Sequence, residues 1–122
     1  MEKPLLLLID DNVLLTRLYQ TAFEKEGYSV VVAHDGETGL ALAKEKKPGG
    51  ILLDLLMPGT DGFAVLEGLK KDSSTKEINT IVLTTVSKPE ELERAKKLGA
   101  LECIIKSEIR LDDLIAHVKS HF

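Results

Sequence analysis

The sequence contains no tryptophan, only five other aromatic residues (two tyrosines and three phenylalanines), and a single cysteine. Because Cys103 has no second cysteine to pair with, an internal disulfide is excluded, which favours a reducing compartment such as the cytoplasm. No apolar run approaches the roughly 20 residues of a membrane-spanning helix. The first apolar run meets Asp10 too soon for a signal peptide. These absences predict a cytoplasmic protein without a membrane span.

Positive charge is also in short supply. The chain has 16 Lys and Arg residues and 20 Asp and Glu residues, so the net charge is −4 at pH 7. This balance gives no electrostatic reason to expect direct binding of nucleic acid or of an anionic membrane. The 122 residues, 43% of them hydrophobic, are enough to bury a core of their own. We predict one domain over residues 1–122, and the absence of an output domain after it favours a stand-alone or isolated unit.

Short apolar runs alternate with segments of helical spacing. Five runs are typical of strands that are covered on both faces: Leu5–Ile9, Ser29–Ala33, Ile51–Leu53, Thr80–Thr84 and Glu102–Ile105. A helix is predicted after each of them. Strict alternation predicts an α/β fold with a doubly wound, five-stranded parallel sheet and five helices. The natural strand order is the flavodoxin-like 2-1-3-4-5.

Two of the helices carry further predictions. In the first helix, an apolar stripe is expected to face the core: Leu14, Leu18, Ala22 and Phe23. In the fourth, Ser87 and Glu90 are predicted to form a capping box, with Pro89 in the first turn and Gly99 closing the helix.

Polar residues follow four of the predicted strands. Asp10 and Asp11 follow strand 1, Asp54 follows strand 3, Thr84 ends strand 4 and Lys106 follows strand 5. In such sheets, ligands bind beyond the carboxyl ends of the strands, where the strand order reverses. Taken singly, each residue also fits a helix cap, a turn, a strand former or a surface lysine. Their convergence at one edge favours a functional site.

The chemistry of this set points to phosphoryl transfer. Three neighbouring carboxylates require a cation to remain ionised together, and oxygen ligands favour Mg²⁺ (or Mn²⁺). A carboxylate beside such an ion can attack phosphorus and form an aspartyl phosphate. Asp54, central in the sheet, is the predicted nucleophile. Lys106 and Thr84 are suited to stabilise the charge on the phosphoryl oxygens.

The chain resembles the receiver domain of bacterial two-component response regulators, of the chemotaxis-regulator type, over essentially its whole length. Five sequence features carry the resemblance: the Asp10-Asp11 pair, the segment from Ala33 to Gly36, the run from Asp54 through Met57-Pro58 to Asp61-Gly62, Thr84, and Lys106. As a set these features are highly specific, and the third, D-x-x-M-P-x-x-D-G, is suggestive by itself.

The resemblance implies that Asp54 accepts a phosphoryl group from a sensor histidine kinase or a histidine phosphotransfer protein. It implies Mg²⁺ held by Asp11, Asp54 and the backbone carbonyl of Leu56, with Asp10 contributing largely through water. Such a domain is a signalling domain and not an enzyme in the ordinary sense, although it catalyses its own phosphorylation and slow dephosphorylation.

The resemblance also implies a switch. Thr84 and Lys106 would bind the phosphoryl group and report it to a downstream protein through the face of helix 4, strand 5 and helix 5. Three positions depart from the family pattern. Cys103 replaces the usual switch aromatic, Thr85 replaces a very small residue, and Ser107 replaces a cis-proline, so a trans peptide is expected there.

Leu56 and Val86 occupy positions that tune the lifetime of the phosphoryl group in this family. Neither side chain can activate a water, and we expect slow self-dephosphorylation. Leu56 also argues against an aspartate phosphatase, which needs a second carboxylate at that position. The loop after strand 1 lacks the glycine-rich cradle that flavin or dinucleotide binding requires. A receiver-like interaction module that works without phosphorylation remains the alternative function. The three histidines, His34, His117 and His121, are interpreted as surface residues.

Overall fold

The computed structural model describes residues 4–57 and 59–122. Five strands and five helices alternate along the chain: β1 (Leu5–Ile9), α1 (Val13–Lys25), β2 (Ser29–Ala33), α2 (Gly36–Lys46), β3 (Gly50–Leu53), α3 (Gly62–Lys71), β4 (Asn79–Thr84), α4 (Pro89–Lys97), β5 (Glu102–Ile105) and α5 (Leu111–His121). A short antiparallel pair, Leu56–Met57 with Thr60–Asp61, joins β3 to α3. None of the described helices is long and apolar enough to cross a membrane.

The five strands form one parallel sheet in the order β2-β1-β3-β4-β5, which confirms the predicted topology. β1 lies between β2 and β3, so that Leu8 has Val32 on one side and Leu52 on the other. Three strands have the predicted bounds, and β3 and β4 each begin one residue earlier.

Apolar side chains fill both faces of the sheet. In β1, Leu7 and Ile9 point into a cluster that contains residues of α2, α3 and α4. Leu6 and Leu8 point the other way, into a cluster with α1 and α5. All four side chains are at most 2% exposed. A strand buried on both faces has no solvent side, which explains why β1 is an unbroken apolar run instead of an alternating one.

The predicted core face of α1 is wrong for Leu14 and Leu18. Leu14 is 79% exposed and Leu18 is 53% exposed. The buried residues of this helix are Thr16, Tyr19 and Phe23, spaced three and four apart. The two aromatic side chains bury more area than the leucines would, and the polar Thr16 concealed their stripe in the sequence. Phe23, which the prediction included, lies in the core.

The predicted cap of α4 is one residue out of register. The N-cap is Lys88, without a side-chain hydrogen bond, so Ser87 does not form a capping box. Proline disfavours the helical region for the residue before it, and Lys88 is accordingly extended, at φ −69° and ψ 124°. Pro89 therefore takes the first helical position, where its missing N–H costs nothing. Gly99, at φ 108°, follows the helix as predicted.

The revised face of α1 predicts unequal costs of truncation. Phe23→Ala should lower the free energy of unfolding by about 3–5 kcal/mol, because it leaves a cavity in the core. Leu18→Ala should change it by less than about 0.5 kcal/mol, as expected for a surface substitution. Urea denaturation of both variants and the wild type measures the difference. Similar losses for the two variants would contradict the assigned face.

Candidate functional site

Two adjacent strands position a pair of buried carboxylates. Asp10 follows β1 and Asp54 follows β3, and each of these residues is only 6% exposed. Their backbone amides continue the sheet's hydrogen bonding, because Asp10 N donates to Ala33 O (3.0 Å) and Asp54 N donates to Ile9 O (2.9 Å). The sheet therefore fixes the backbone from which both carboxylates project.

Asp11 completes an acidic pocket of three residues, Asp10, Asp11 and Asp54. One carboxylate oxygen from each residue lies within 4.8 Å of the others, and Asp11 is exposed. Within residues 4–57 and 59–122, no other group of three His, Cys, Asp or Glu residues is as tightly gathered. The donor set is all oxygen and partly open to solvent, which fits a hard divalent cation that keeps some of its water.

Lys106 reaches into this pocket from the end of β5. Its Nζ donates to Asp10 Oδ2 at 2.6 Å and to Asp54 Oδ2 at 3.2 Å, and its side chain is 13% exposed. Burial by itself lowers the pKa of Lys106, but the hydrogen bond and charge of Asp10, followed by those of Asp54, outweigh it and raise the pKa above its ordinary value. One ammonium against three carboxylates leaves the pocket negative and able to attract a cation.

Backbone amides orient the two buried carboxylates. Asn12 N donates to Asp10 Oδ1 (2.9 Å), and Leu56 N donates to Asp54 Oδ1 (3.1 Å). Each carboxylate thus accepts from an amide two residues ahead with one oxygen and from Lys106 with the other. Asp54 is held in a single orientation at the centre of the sheet edge.

Thr84 lies one strand away from Asp54, at the end of β4. Its side chain is buried, and its Oγ1 accepts a hydrogen bond from Val86 N at 3.3 Å. Among the described residues, no side-chain hydrogen bond joins Thr84 to the acidic pocket. Thr85 is exposed, whereas Val86 packs within the apolar cluster under α4. The hydroxyl of Thr84 therefore links the end of β4 to the loop that leads into α4.

Cys103 lies within β5, and Ser107 lies in the turn that follows this strand. The thiol of Cys103 is half-buried, 3.8 Å from Leu92 O of α4. Burial raises its pKa, with Lys96 lowering and Glu102 raising it to a smaller extent. The side chain thus fills part of the β5–α4 contact as a small apolar group. The peptide before Ser107 is trans, as expected, and a 3-10 turn spans Lys106–Glu108.

Tyr19 is a neighbour of the site that sequence reasoning did not single out. A small cavity beneath the pocket is lined by Asp10, Asp54, Thr16 and Tyr19 among others. Burial raises the pKa of Tyr19, while the charge of Lys106 lowers it and that of Asp10 raises it. The spacing of Thr16, Tyr19 and Phe23 was the available signal, but the leucines of α1 masked it.

The position of Lys106 predicts a stability effect that depends on divalent ions. Lys106→Met should lower the free energy of unfolding by about 3 kcal/mol without divalent ions, because it strips the partner from two buried carboxylates. A saturating divalent cation should recover most of that loss and stabilise the variant more than the wild type. Urea denaturation with chelator or with Mg²⁺ measures both effects. Equal stability of variant and wild type in chelator would argue against Lys106 as the internal counterion.

Comparison with known sequences identifies relatives over most of the chain. The family model of the response regulator receiver domain matches residues 6–119. Protein PilH of Pseudomonas aeruginosa is 35% identical over 103 residues, covering 83% of this chain and 84% of PilH. The probable transcriptional regulator ycf27 of Porphyridium aerugineum is 36% identical over 106 residues, covering 87% of this chain and 43% of that protein. The chain spans a quarter of another relative, the response regulator PleD of Caulobacter vibrioides.

Solved structures share the same fold. The chemotaxis protein CheY4 of Vibrio cholerae superposes with a TM-score of 0.89 at 25% identity, over 97% of this chain and 98% of that one. A CheY-like receiver domain protein of Methanospirillum hungatei has a TM-score of 0.90 at 25% identity, over 98% and 93% of the two chains. With the family model covering nearly all the sequence and an acidic pocket at the switch point of the sheet, the chain belongs to the receiver domain family of the two-component response regulators.

Proposed function

We propose that this receiver accepts a phosphoryl group on Asp54 in a Mg²⁺-dependent reaction. One observation carries the proposal: Asp54 Oδ2 lies 3.2 Å from the ammonium of Lys106, inside a group of three carboxylates gathered within 4.8 Å. A nucleophilic carboxylate needs a fixed orientation and nearby positive charge for the incoming phosphoryl oxygens. The orientation of Asp54 is fixed by its hydrogen bonds, and Lys106 supplies part of the positive charge.

Mg²⁺, or Mn²⁺ in its place, supplies the rest of the positive charge when it is bound. Its proposed ligands are Asp11, Asp54 and the backbone carbonyl of Leu56, with Asp10 contributing largely through water. The exposure of Asp11 supports this assignment, because a hydrated ion can enter from that side. A solved receiver similar in fold, Rcp1, is described as a Mn²⁺-bound form; it has a TM-score of 0.78 at 27% identity, over 97% of this chain and 91% of that one.

In the proposed reaction, an oxygen of Asp54 attacks the phosphorus of a phosphohistidine. The nitrogen–phosphorus bond breaks as the oxygen–phosphorus bond forms, and the electron pair returns to the imidazole of the donor. Lys106 then shifts part of its hydrogen bonding from Asp54 to a phosphoryl oxygen. Thr84 donates its hydroxyl to another phosphoryl oxygen and, as it turns toward the site, loses the hydrogen bond from Val86 N.

The phosphoryl donor is a sensor histidine kinase or a histidine phosphotransfer protein. Apolar side chains beside the pocket support docking of such a partner. Val13 and Leu14, in the first turn of α1 just after Asp11, are 47% and 79% exposed, and Leu56 is 55% exposed. All three follow Asp11 or Asp54 by two or three positions, and exposed apolar side chains beside a polar site support a surface for a protein partner.

The proposed output is a conformational change of the face formed by α4, β5 and α5, which a downstream protein reads. The Thr84–Val86 hydrogen bond supports this route, because it ties the phosphorylation site to the loop before α4. Cys103, in place of an aromatic, cannot report the change by rotating a ring. The shift of that loop would then carry the signal.

The site of action is proposed to be the cytoplasm, consistent with a lone, half-buried cysteine. The proposal covers a single receiver domain over residues 1–122, stand-alone or isolated. The alternative function, an interaction module that works without phosphorylation, is favoured by one feature, the replacement of the switch aromatic by Cys103. Phosphate uptake distinguishes the two functions.

Intact mass spectrometry after incubation with acetyl phosphate and Mg²⁺ tests the phosphoacceptor. The wild type should gain one phosphoryl group, and Asp54→Asn or chelated wild type should gain none. Asp61→Asn serves as a matched control, since this exposed aspartate caps α3 outside the pocket and the variant should still be modified. No adduct on the wild type, under conditions that modify another receiver, would favour the alternative module.

Leu56 is expected to shield the aspartyl phosphate from water. Leu56→Gln should accelerate phosphate loss, because an amide two residues from Asp54 can orient an attacking water. The decay of the phosphorylated protein, followed by mass, gives the rate. Leu101→Gln is the matched control, being the same change at a leucine 46% exposed near the opposite end of β5. Equal decay rates for the two variants would count against shielding by Leu56.

A further inference from the structure

A second cluster of ligand-type side chains lies far from the acidic pocket. Glu102 begins β5, whereas Lys106 follows its end, so the two are separated by four residues of extended chain, about 13 Å. Two histidines of α5 meet at Glu102: His117 Nδ1 is 2.9 Å from its Oε1, and His121 Nε2 is 3.2 Å from its Oε2. The phosphorylation chemistry uses none of these three residues.

The secondary structure accounts for this meeting. Side chains alternate along a strand, so Glu102 shares the face of Ile104, which is buried against α5 with Leu114 and Val118. Cys103 points to the opposite face, toward α4, and takes no part in the cluster. His117 and His121 are four residues apart on α5, which places them one above the other on one side of the helix.

We propose that His117, His121 and Glu102 form a binding site for a transition-metal dication such as Zn²⁺. Two histidines at i and i+4 on one helix face are a spacing that binds zinc, and a carboxylate is a suitable third ligand. Imidazole nitrogens favour Zn²⁺, Ni²⁺ or Cu²⁺, whereas the all-oxygen acidic pocket favours Mg²⁺. The two sites therefore differ in the ion they select.

The geometry allows the ion to enter. The side chains of His117, His121 and Glu102 are 41%, 34% and 28% exposed, so solvent reaches all three. Each imidazole now contacts a different oxygen of the one carboxylate. A bound ion would replace these two contacts and draw the rings together, with water completing a tetrahedral shell. The ion would clamp the last turns of α5 to the start of β5.

A Zn²⁺ titration in excess Mg²⁺ tests the site while Mg²⁺ competes for the acidic pocket. With ¹⁵N-labelled histidine, the imidazole resonances of His117 and His121 should shift together and saturate at one equivalent. His34, which contacts Thr16 on another part of the surface, should not follow them. Equal responses of all three histidines, or none, would overturn the proposal.

Variants give a second measurement by isothermal titration in the same buffer. His117→Gln, His121→Gln and Glu102→Gln should each weaken Zn²⁺ binding at least about tenfold, because the loss of a ligand should cost no less than the loss of a ligand's hydrogen-bond partner. His34→Gln is the matched control and should bind Zn²⁺ as the wild type does. Unchanged affinity in both α5 histidine variants would contradict the site, whatever the state of the acidic pocket.

Discussion

The contact of Lys106 with Asp10 and Asp54 is the constraint on which the functional edge of this receiver depends. Asp10 and Asp54, each only 6% exposed, lie at the ends of adjacent strands, where two buried like charges are unfavourable without a positive partner. Lys106, delivered by the last strand, supplies one charge at 2.6 Å and 3.2 Å. Lys106 is 96 positions from Asp10 in the sequence and 52 positions from Asp54. The order of the strands in the sheet explains how these distant residues come into contact.

The contact of Lys106 with Asp10 and Asp54 bears both on the stability of the fold and on the proposed phosphorylation. The ammonium neutralises only part of the pocket, and exposed Asp11 leaves the remaining negative charge open to solvent and to a divalent cation. In the proposed phosphorylation, the same lysine turns from a structural counterion into a ligand of the phosphoryl group. Thr84 ends the neighbouring strand, and its hydroxyl accepts a hydrogen bond from Val86 N. If Thr84 gives up this bond for a phosphoryl oxygen, as proposed, phosphorylation would change the loop before α4.

Much of this was readable in the sequence because the sheet is buried on both faces. Unbroken apolar runs predicted the strands, and the alternation of strand and helix segments predicted the topology. The polar residues after the strands predicted the acidic pocket. The helix faces were harder to predict: in α1, the exposed Leu14 and Leu18 are as many as the two core aromatics, and the buried position 16 is a threonine. The cap of α4 was misplaced because proline controls the residue before it. The spacing of His117 and His121 is visible in the sequence, but their meeting with Glu102 depends on how α5 packs against β5, which the sequence pattern does not show.

A double-mutant cycle between Lys106→Met and Asp10→Asn, measured by urea denaturation in chelator, tests the central claim most directly. If Lys106 is the internal counterion of the buried carboxylates, the double variant should lose less stability than the sum of the single variants, with a coupling energy of about 1–3 kcal/mol. The coupling should shrink in saturating Mg²⁺, because the ion then takes over the neutralisation. Additive losses in chelator would contradict the account.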